Sequence, residues 1–313
     1  MVALEVSCQV PARESFPLSA LSEPELSFRL AMLIAMAVLG TAMAVAYNPW
    51  REHRAEIRIE QGGGVVGRDY FGPDWVSRAL PYRWIKHLSD VTRVDFRYDE
   101  GSQPDLEVLV DLPYLDTVSL EGAAVNDDNA APLSELTGVA QLVLVKTSLT
   151  DASLHHLGVM RRLRFLSLAK SPVTGSGLKH LKDLPQLQGL NLLGTEARDE
   201  TVSDLASFSR LESLQLKGTQ ISDQGLRYLS KLASLRTLGL SKTRITDDGL
   251  KELAGMVSLR SIDLGETSIG DAGLRHLCAL PMLEHITLKD TYVTQDGVDA
   301  LMRAYPRLSV SWR

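Results

Sequence analysis

A chain of 313 residues with a formal charge of −6 can hold one large domain or two ordinary ones. Its acid excess argues against nucleic acid, whose phosphates call for a basic stripe. The two cysteines, Cys8 and Cys278, stand on opposite sides of a hydrophobic segment, so neither a disulfide framework nor a metal site is expected. Cys278 reads as a small, partly buried helix residue.

Residues 1–29 lack periodicity and are interrupted by Pro11, Pro17 and Pro24, the composition of a disordered tail. Residues 30–48 come next, with eighteen uncharged residues from Leu30 to Tyr47. At about 1.5 Å per residue they span roughly 27 Å, close to a hydrocarbon core of about 30 Å. Tyr47 and Trp50 fall where an interfacial aromatic belt would lie, beside Arg51, His53 and Arg54. The segment predicts a single transmembrane helix. A cleaved signal sequence is the alternative, with Ala42-Met43-Ala44 and Ala44-Val45-Ala46 as processing sites and the long acidic tail against it. Arg29 stands alone on one side, against Arg51, Arg54 and Arg58 on the other. The positive-inside rule then places the C-terminal portion of the chain in the cytoplasm, with the cell-envelope side as the other possibility.

Residues 49–90 connect this segment to the rest. REHRAEIRIEQ reads as a charged juxtamembrane helix ended by Gly62-Gly63-Gly64, VVGRDY as a short strand, and Pro73-Asp74-Trp75-Val76 as the start of a second helix. Trp75, Tyr82 and Trp84 have the character of an aromatic cap over an open apolar end.

Residues 91–313 obey a ruler of 24 residues. Val91, Leu115, Val139, Leu163, Leu187, Leu211, Leu235, Leu259 and Leu283 occupy its first column, and one further step places Val310 and Trp312 in the fourth and sixth. Within one unit, Leu238 and Leu240 alternate with Thr237, Gly239 and Ser241, the mark of a short strand with one buried face. Thr147, Ser171, Thr195, Thr219, Thr243, Thr267 and Thr291 form a hydroxyl column suited to bonding backbone groups in the adjoining turn. Asp151, Asp199, Asp223, Asp247 and Asp271 then read as caps on short helices, whose apolar stripe in one unit is Leu250, Leu253 and Met256. Gly177, Gly225, Gly249, Gly273 and Gly297 share a further column. Two units depart from the pattern, with Ala123 and Asn129 in one and Ala197 and Thr201 in the other, where looser packing is expected. Leu308, Val310 and Trp312 read as a final strand that covers the last open layer.

A period of this length signals a leucine-rich-repeat solenoid, an α/β horseshoe arc with a parallel concave sheet and short convex helices. The pattern LxxLxLxxTxITDxGLxxLxxL resembles the repeats of F-box/leucine-rich-repeat proteins and their bacterial relatives. The stretches FRLAMLIAMAVLG, REHRAEIRIEQGGG and GPDWVSRAL, together with the repeats, are similar to bacterial membrane-anchored leucine-rich-repeat proteins. No F-box-like helical module precedes the repeats. The resemblance implies binding of a partner and no catalysis.

The residues beside the strand leucines would line the concave face. Val143, Val145, Phe165 and Leu193 form an apolar group there, with Asn191, Gln215, Asp263, His285, Thr287 and Lys289 as further partner-binding candidates. The expected partner is a protein or peptide, held by a monomer tethered to the membrane through Leu30–Tyr47; no cofactor, metal ion or nucleic acid is expected. Enzyme chemistry has one candidate group in Asp263, Glu266, His285, Lys289 and Asp290, with Asp263 and His285 on adjacent strands. It lacks a placed nucleophile. His155-His156 sits on a convex helix where neighbours point apart, which disfavours chelation. Arg161, Arg162, Arg164, Lys170, Lys179 and Lys182 make a basic area. Two classes of function remain: a membrane-tethered, non-enzymatic interaction scaffold, and a cell-envelope receptor or hydrolase recognising glycan or peptide. A deep concave pocket would favour the second, and an open arc the first.

Overall fold

Eleven strands form one sheet in strict chain order in the computed structural model, which describes residues 49–72, 89–96 and 104–313. The tail, the uncharged stretch Leu30–Tyr47, the helix expected at Pro73 and the aromatics Trp75, Tyr82 and Trp84 lie outside the described residues. Among the described residues no helix is long and apolar enough to cross a membrane.

Strand β1 (Val65–Asp69) pairs antiparallel with β2 (Asp90–Asp95), and every later strand is parallel to its neighbour. These are β3 (Thr117–Ser119), β4 (Gln141–Val143), β5 (Phe165–Ser167), β6 (Gly189–Asn191), β7 (Ser213–Gln215), β8 (Thr237–Gly239), β9 (Ser261–Asp263), β10 (His285–Thr287) and β11 (Ser309–Ser311). The register advances by one repeat at each step: Val118 faces Leu142, Leu142 faces Leu166, Leu166 faces Leu190, and so on to Ile286 facing Val310. The strand leucines are thereby stacked and buried, Leu142, Leu166, Leu214 and Leu238 among them. Each coil hides apolar surface that its neighbour would otherwise expose, at about 1.5–3 kcal/mol per fully buried leucine.

The convex side is built from short pieces: α2 (Glu107–Val110), α3 (Leu154–Leu157), α4 (Asp199–Val202), α5 (Asp223–Leu229), α6 (Asp271–Leu277) and α7 (Gln295–Ala304), with single 3-10 turns in other coils such as Gly249–Gly255. The helix α1 (Pro49–Gln61) belongs to the N-terminal end. Gly62-Gly63-Gly64 ends it by bonding Gly64 N–H to Ile59 O at 2.8 Å and Gly63 N–H to Glu60 O at 3.1 Å, with Gly63 at φ +81°. Its inner face is Glu52, Ala55, Glu56 and Ile59, all buried. The two acids have partners: Glu52 accepts from Val91 N–H at 2.8 Å and Glu56 from Arg68 at 2.7 Å. Burial pushes the Glu52 carboxyl above its ordinary value, partly offset by the Val91 N–H and Arg68. At the other end Val310 and Trp312 pack against the core, and the Trp312 indole donates to Val293 O at 3.1 Å.

The hydroxyl column does what its chemistry suggests. Thr195 and Thr219 each donate to the carbonyl three residues back, Leu192 O and Leu216 O, at 2.7 Å. Thr147 reaches Leu144 O at 3.4 Å and also shares a 2.9 Å bond with Ser171 in the next coil. The aspartate column corrects the expectation. Asp223 does not cap its own helix; it reaches the next coil, accepting from Thr246 N–H at 2.9 Å and the Thr246 hydroxyl at 2.6 Å. Asp127, Asp151, Asp199 and Asp271 repeat this contact with Thr150, Thr174, Ser222 and Thr294, and Asp247 accepts from Gly270 N–H. The hydroxyl just before α5 and α7 caps each locally, Ser222 accepting from Gln224 N–H and Thr294 from Gly297 N–H, both at 3.3 Å.

The glycine column arises from the same contact. A Cβ on Gly249 would stand 2.1 Å from Asp223 Oδ1 and 2.7 Å from its Cγ; on Gly273 and Gly297 it would meet Asp247 and Asp271 at 2.3 and 2.0 Å. Where the aspartate is missing the glycine is released: Gly175 holds the acid's place, and Thr201 stands in the glycine column of the next coil. Thr201 supplies the cap that Arg198 cannot, accepting from Arg198 N–H at 3.0 Å. Ala197 is fully buried, as Ile221 is in the same column of the next coil. Cys278, expected to be partly buried, is exposed at the C-terminal end of α6, because it falls off the Leu274–Leu277 stripe.

The ladder makes stability depend on paired positions and on pH. Gly249→Ala should cost about 1–3 kcal/mol by overpacking, whereas adding it to Asp223→Ala should cost clearly less, as read from urea unfolding tracked by circular dichroism. Strict additivity would disprove the coupling. On acidity, burial is the largest influence on Asp151 and pushes its carboxyl up. The Thr174 hydroxyl and the N–H groups of Gly177, Thr174 and Gly175 outweigh it and hold the group below the ordinary 3.8. At Asp271 the Thr294 hydroxyl and N–H lower the carboxyl against a smaller opposing effect of burial. A depressed acid contributes stability that is complete above its unfolded value and lost as pH falls through the folded one. Melting temperature should therefore fall on acidification below pH 3.8, and fall less in the Asp151→Asn/Asp271→Asn double variant; an identical slope would refute this.

Candidate functional site

All ten concave candidates lie on or just after strands of the one sheet. Val143, Val145, Phe165, Asn191, Leu193, Gln215, Asp263 and Thr287 are half-buried, while His285 and Lys289 are exposed. The register sets the apolar four on three adjacent coils without pairing any two of them directly: Val143 on β4 faces Ser167 on β5, which faces Asn191 on β6, while Phe165, two positions back, lies between Gln141 and Gly189. Val145, Ala169 and Leu193 continue the same three coils two positions beyond the strands, Lys146 N–H bonding Ala169 O and Lys170 N–H bonding Leu193 O.

Phe165 does not stand free. A Cβ on Gly189 would come within 2.6 Å of its ring, so the ring lies over the glycine of the next strand. Gln215 covers Gly239 in the same way, its Oε1 1.9 Å from where a Cβ would be. These small residues are notches that the preceding strand's side chain fills. Asn191 and Asp263 accept from the N–H groups of Leu193 and Gly265, each at 3.0 Å, so both are engaged in local turns. Ser167, register partner of Val143, is 2 % exposed, and among the described residues its hydroxyl has no hydrogen-bond partner.

The Asp263–His285 pairing is not made. The register sets His285 opposite Ser261 and Asp263 opposite Thr287, and the Asp263 carboxylate faces its own turn. Glu266 forms an ion pair with Lys217 at 3.6 Å. Depressions near this end lie on the convex side: one of 250 Å³ is lined by residues of α6 and α7, including Asp271, Leu274, Arg275 and Asp296, and none of the concave candidates borders it. The histidine pair differs from its expectation: the His155 and His156 rings lie 3.9 Å apart at 38°, with His180 edge-on at 6.3 Å from His155. Burial and then the charge of His155 lower the His156 pKa. Among the described residues no group of three or more metal-ligating side chains is placed to hold an ion.

One further column becomes apparent only in the backbone. Lys146, Lys170, Lys242, Glu266 and Asp290 adopt left-handed conformation, with φ between 53° and 59°, where Gly122, Gly194 and Gly218 stand in other coils. Its signal in the letters is the alternation of glycine with charged residues at this offset. A turn that must be left-handed and must also face solvent leaves room only for glycine or a polar side chain.

A family model described as Leucine Rich repeat matches residues 210–230, 231–254 and 256–278. These segments are leucine-rich repeats. Among solved structures, the leucine-rich-repeat arc is similar to an internalin C2 from Listeria monocytogenes, with 25% identity, a TM-score of 0.53, and coverage of 65% of this chain and 83% of that one. An internalin F of the same organism is 18% identical over 71% of this chain and 82% of its own, with a TM-score of 0.41. Comparison with curated proteins gives no match.

Proposed function

We propose that this chain is a membrane-tethered, non-enzymatic scaffold whose leucine-rich repeats bind a protein or peptide on the concave face. The observation that carries the reading is the apolar group of Val143, Val145, Phe165 and Leu193, brought onto three adjacent coils by the register. An apolar centre with a polar surround is the composition of a protein-binding patch. Support also comes from the polar side chains of Asn191 and Asp263, which serve turns rather than chemistry. The tether rests on the eighteen uncharged residues Leu30–Tyr47 alone.

Phe165→Asp should leave the circular dichroism of the full chain unchanged and reduce capture of native partners from the source membrane by about tenfold or more, as for an interface anchor. Unchanged capture would sink the concave-face reading. Extraction of the chain by alkaline carbonate would independently sink the tether, and protease accessibility in intact cells assigns the side.

A further inference from the structure

Neighbouring coils of this arc place equivalent residues side by side about 4.8 Å apart, so charge in each column is either cancelled or reinforced by the adjacent coil. At the entry to the strands it is mostly cancelled: Arg236 pairs with Glu212 at 3.1 Å and Arg260 with Glu284 at 2.7 Å. Arg164, at the entry to β5, has Ala140 and Gln188 as its column neighbours, and among the described residues its Nε contacts only the neutral Gln186, at 3.5 Å. At the exit from the strands, Lys242 stands between Gly218 and Glu266, whose carboxylate pairs with Lys217 at 3.6 Å. Lys146 and Lys170 are instead neighbours of like charge, bounded by Gly122 and Gly194. Both are exposed, and among the described residues neither forms an ion pair. Like charges set directly side by side lower stability. The left-handed backbone at each lysine, φ 55° and 59°, adds strain that glycine would not carry.

Uncompensated cations thus flank both ends of the strands that carry the apolar group. Between them lies the buried, unpartnered hydroxyl of Ser167, and the acid nearest in the columns is Glu121, one coil before Val145. Resting on the concave-face reading above, we propose that the surface over β4–β6 takes an acidic polypeptide segment that inserts an apolar side chain beside Phe165. Its carboxylates meet Lys146, Lys170 and Arg164, away from Glu121. A nucleic acid fits less well, because its charge is continuous whereas this surface is apolar between two cationic margins.

The test starts with a random peptide library displayed on phage and selected against the full chain, without assuming a sequence. Acidic residues around an aromatic or aliphatic centre should be enriched. Synthetic copies of the selected peptides are then measured by fluorescence anisotropy. Lys146→Gly/Lys170→Gly, which suits the left-handed turns, should weaken binding roughly 3- to 30-fold while raising the melting temperature. Lys242→Gly in the same column should leave affinity unchanged, and added salt should weaken the wild-type complex. Neutral or basic selected peptides, or equal affinity in the double variant, would overturn the proposal. So would preference for a single-stranded RNA oligonucleotide over the peptides. If Phe165→Ala abolishes binding while the lysine changes do not, the concave face stands and the acidic partner falls; if neither matters, the concave face falls as well.

Discussion

The contact on which this arc depends is a carboxylate reaching across the stack. Each ladder aspartate but Asp247, which meets only the Gly270 N–H, sits at the start of one convex turn and satisfies the first free N–H and the capping hydroxyl of the next, as Asp223 does for Thr246 and Asp271 for Thr294. A hydrogen bond to a charged group contributes about 1.5–3 kcal/mol, more than a neutral one. It also fixes the rotation of one coil upon the next, which stacked leucines alone leave free to slide. The requirement then spreads through the sequence: the donor side is serine or threonine except at Gly270, and the space beside the carboxylate is held by glycine except at Ser153, whose hydroxyl donates to Asp127. Three columns that look independent are one device.

This device separates what the letters reveal from what they conceal. Spacing alone places Leu142, Leu166, Leu190 and Leu238 in one sheet, because a strand's inward residues recur with the coil and nothing else in the chain buries them. The hydroxyl column is equally open to reading, since Thr195 and Thr219 bond within their own turn. The aspartates pass for local caps because a column shows that a residue recurs, not the direction in which its side chain crosses the stack. The Asp263–His285 pair fails for a related reason. The two strands are adjacent, but a diagonal of two positions in the register separates the side chains.

The concave face is legible in outline and not in detail. The letters place Phe165 among exposed positions, yet its ring is half-covered because Gly189 beside it leaves a notch. Exposure on this surface is set by pairs of residues 24 positions apart, so no single residue type reports it. Charge obeys the same rule. Arg236 and Arg164 are the same letter in the same column, but one has Glu212 at 3.1 Å and the other has alanine and glutamine beside it.

The irregular coil obeys this logic too. Between Asp127 and Thr294, the junction that lacks its aspartate is the one after Gly175, in the same coil as Phe165, Ser167 and Lys170. There Thr201 turns inward to cap its own helix, and the link to the previous coil falls to the sheet and the leucines. The apolar group, the unpartnered hydroxyl, the like-charged lysines and the missing ladder bond all fall on coils 139–210. The like-charged neighbours and the missing ladder bond each lower stability. Departures occur elsewhere too, at Gly270 and at the left-handed Lys242, Glu266 and Asp290, but the missing aspartate and the adjacent pair of like-charged lysines fall on these coils.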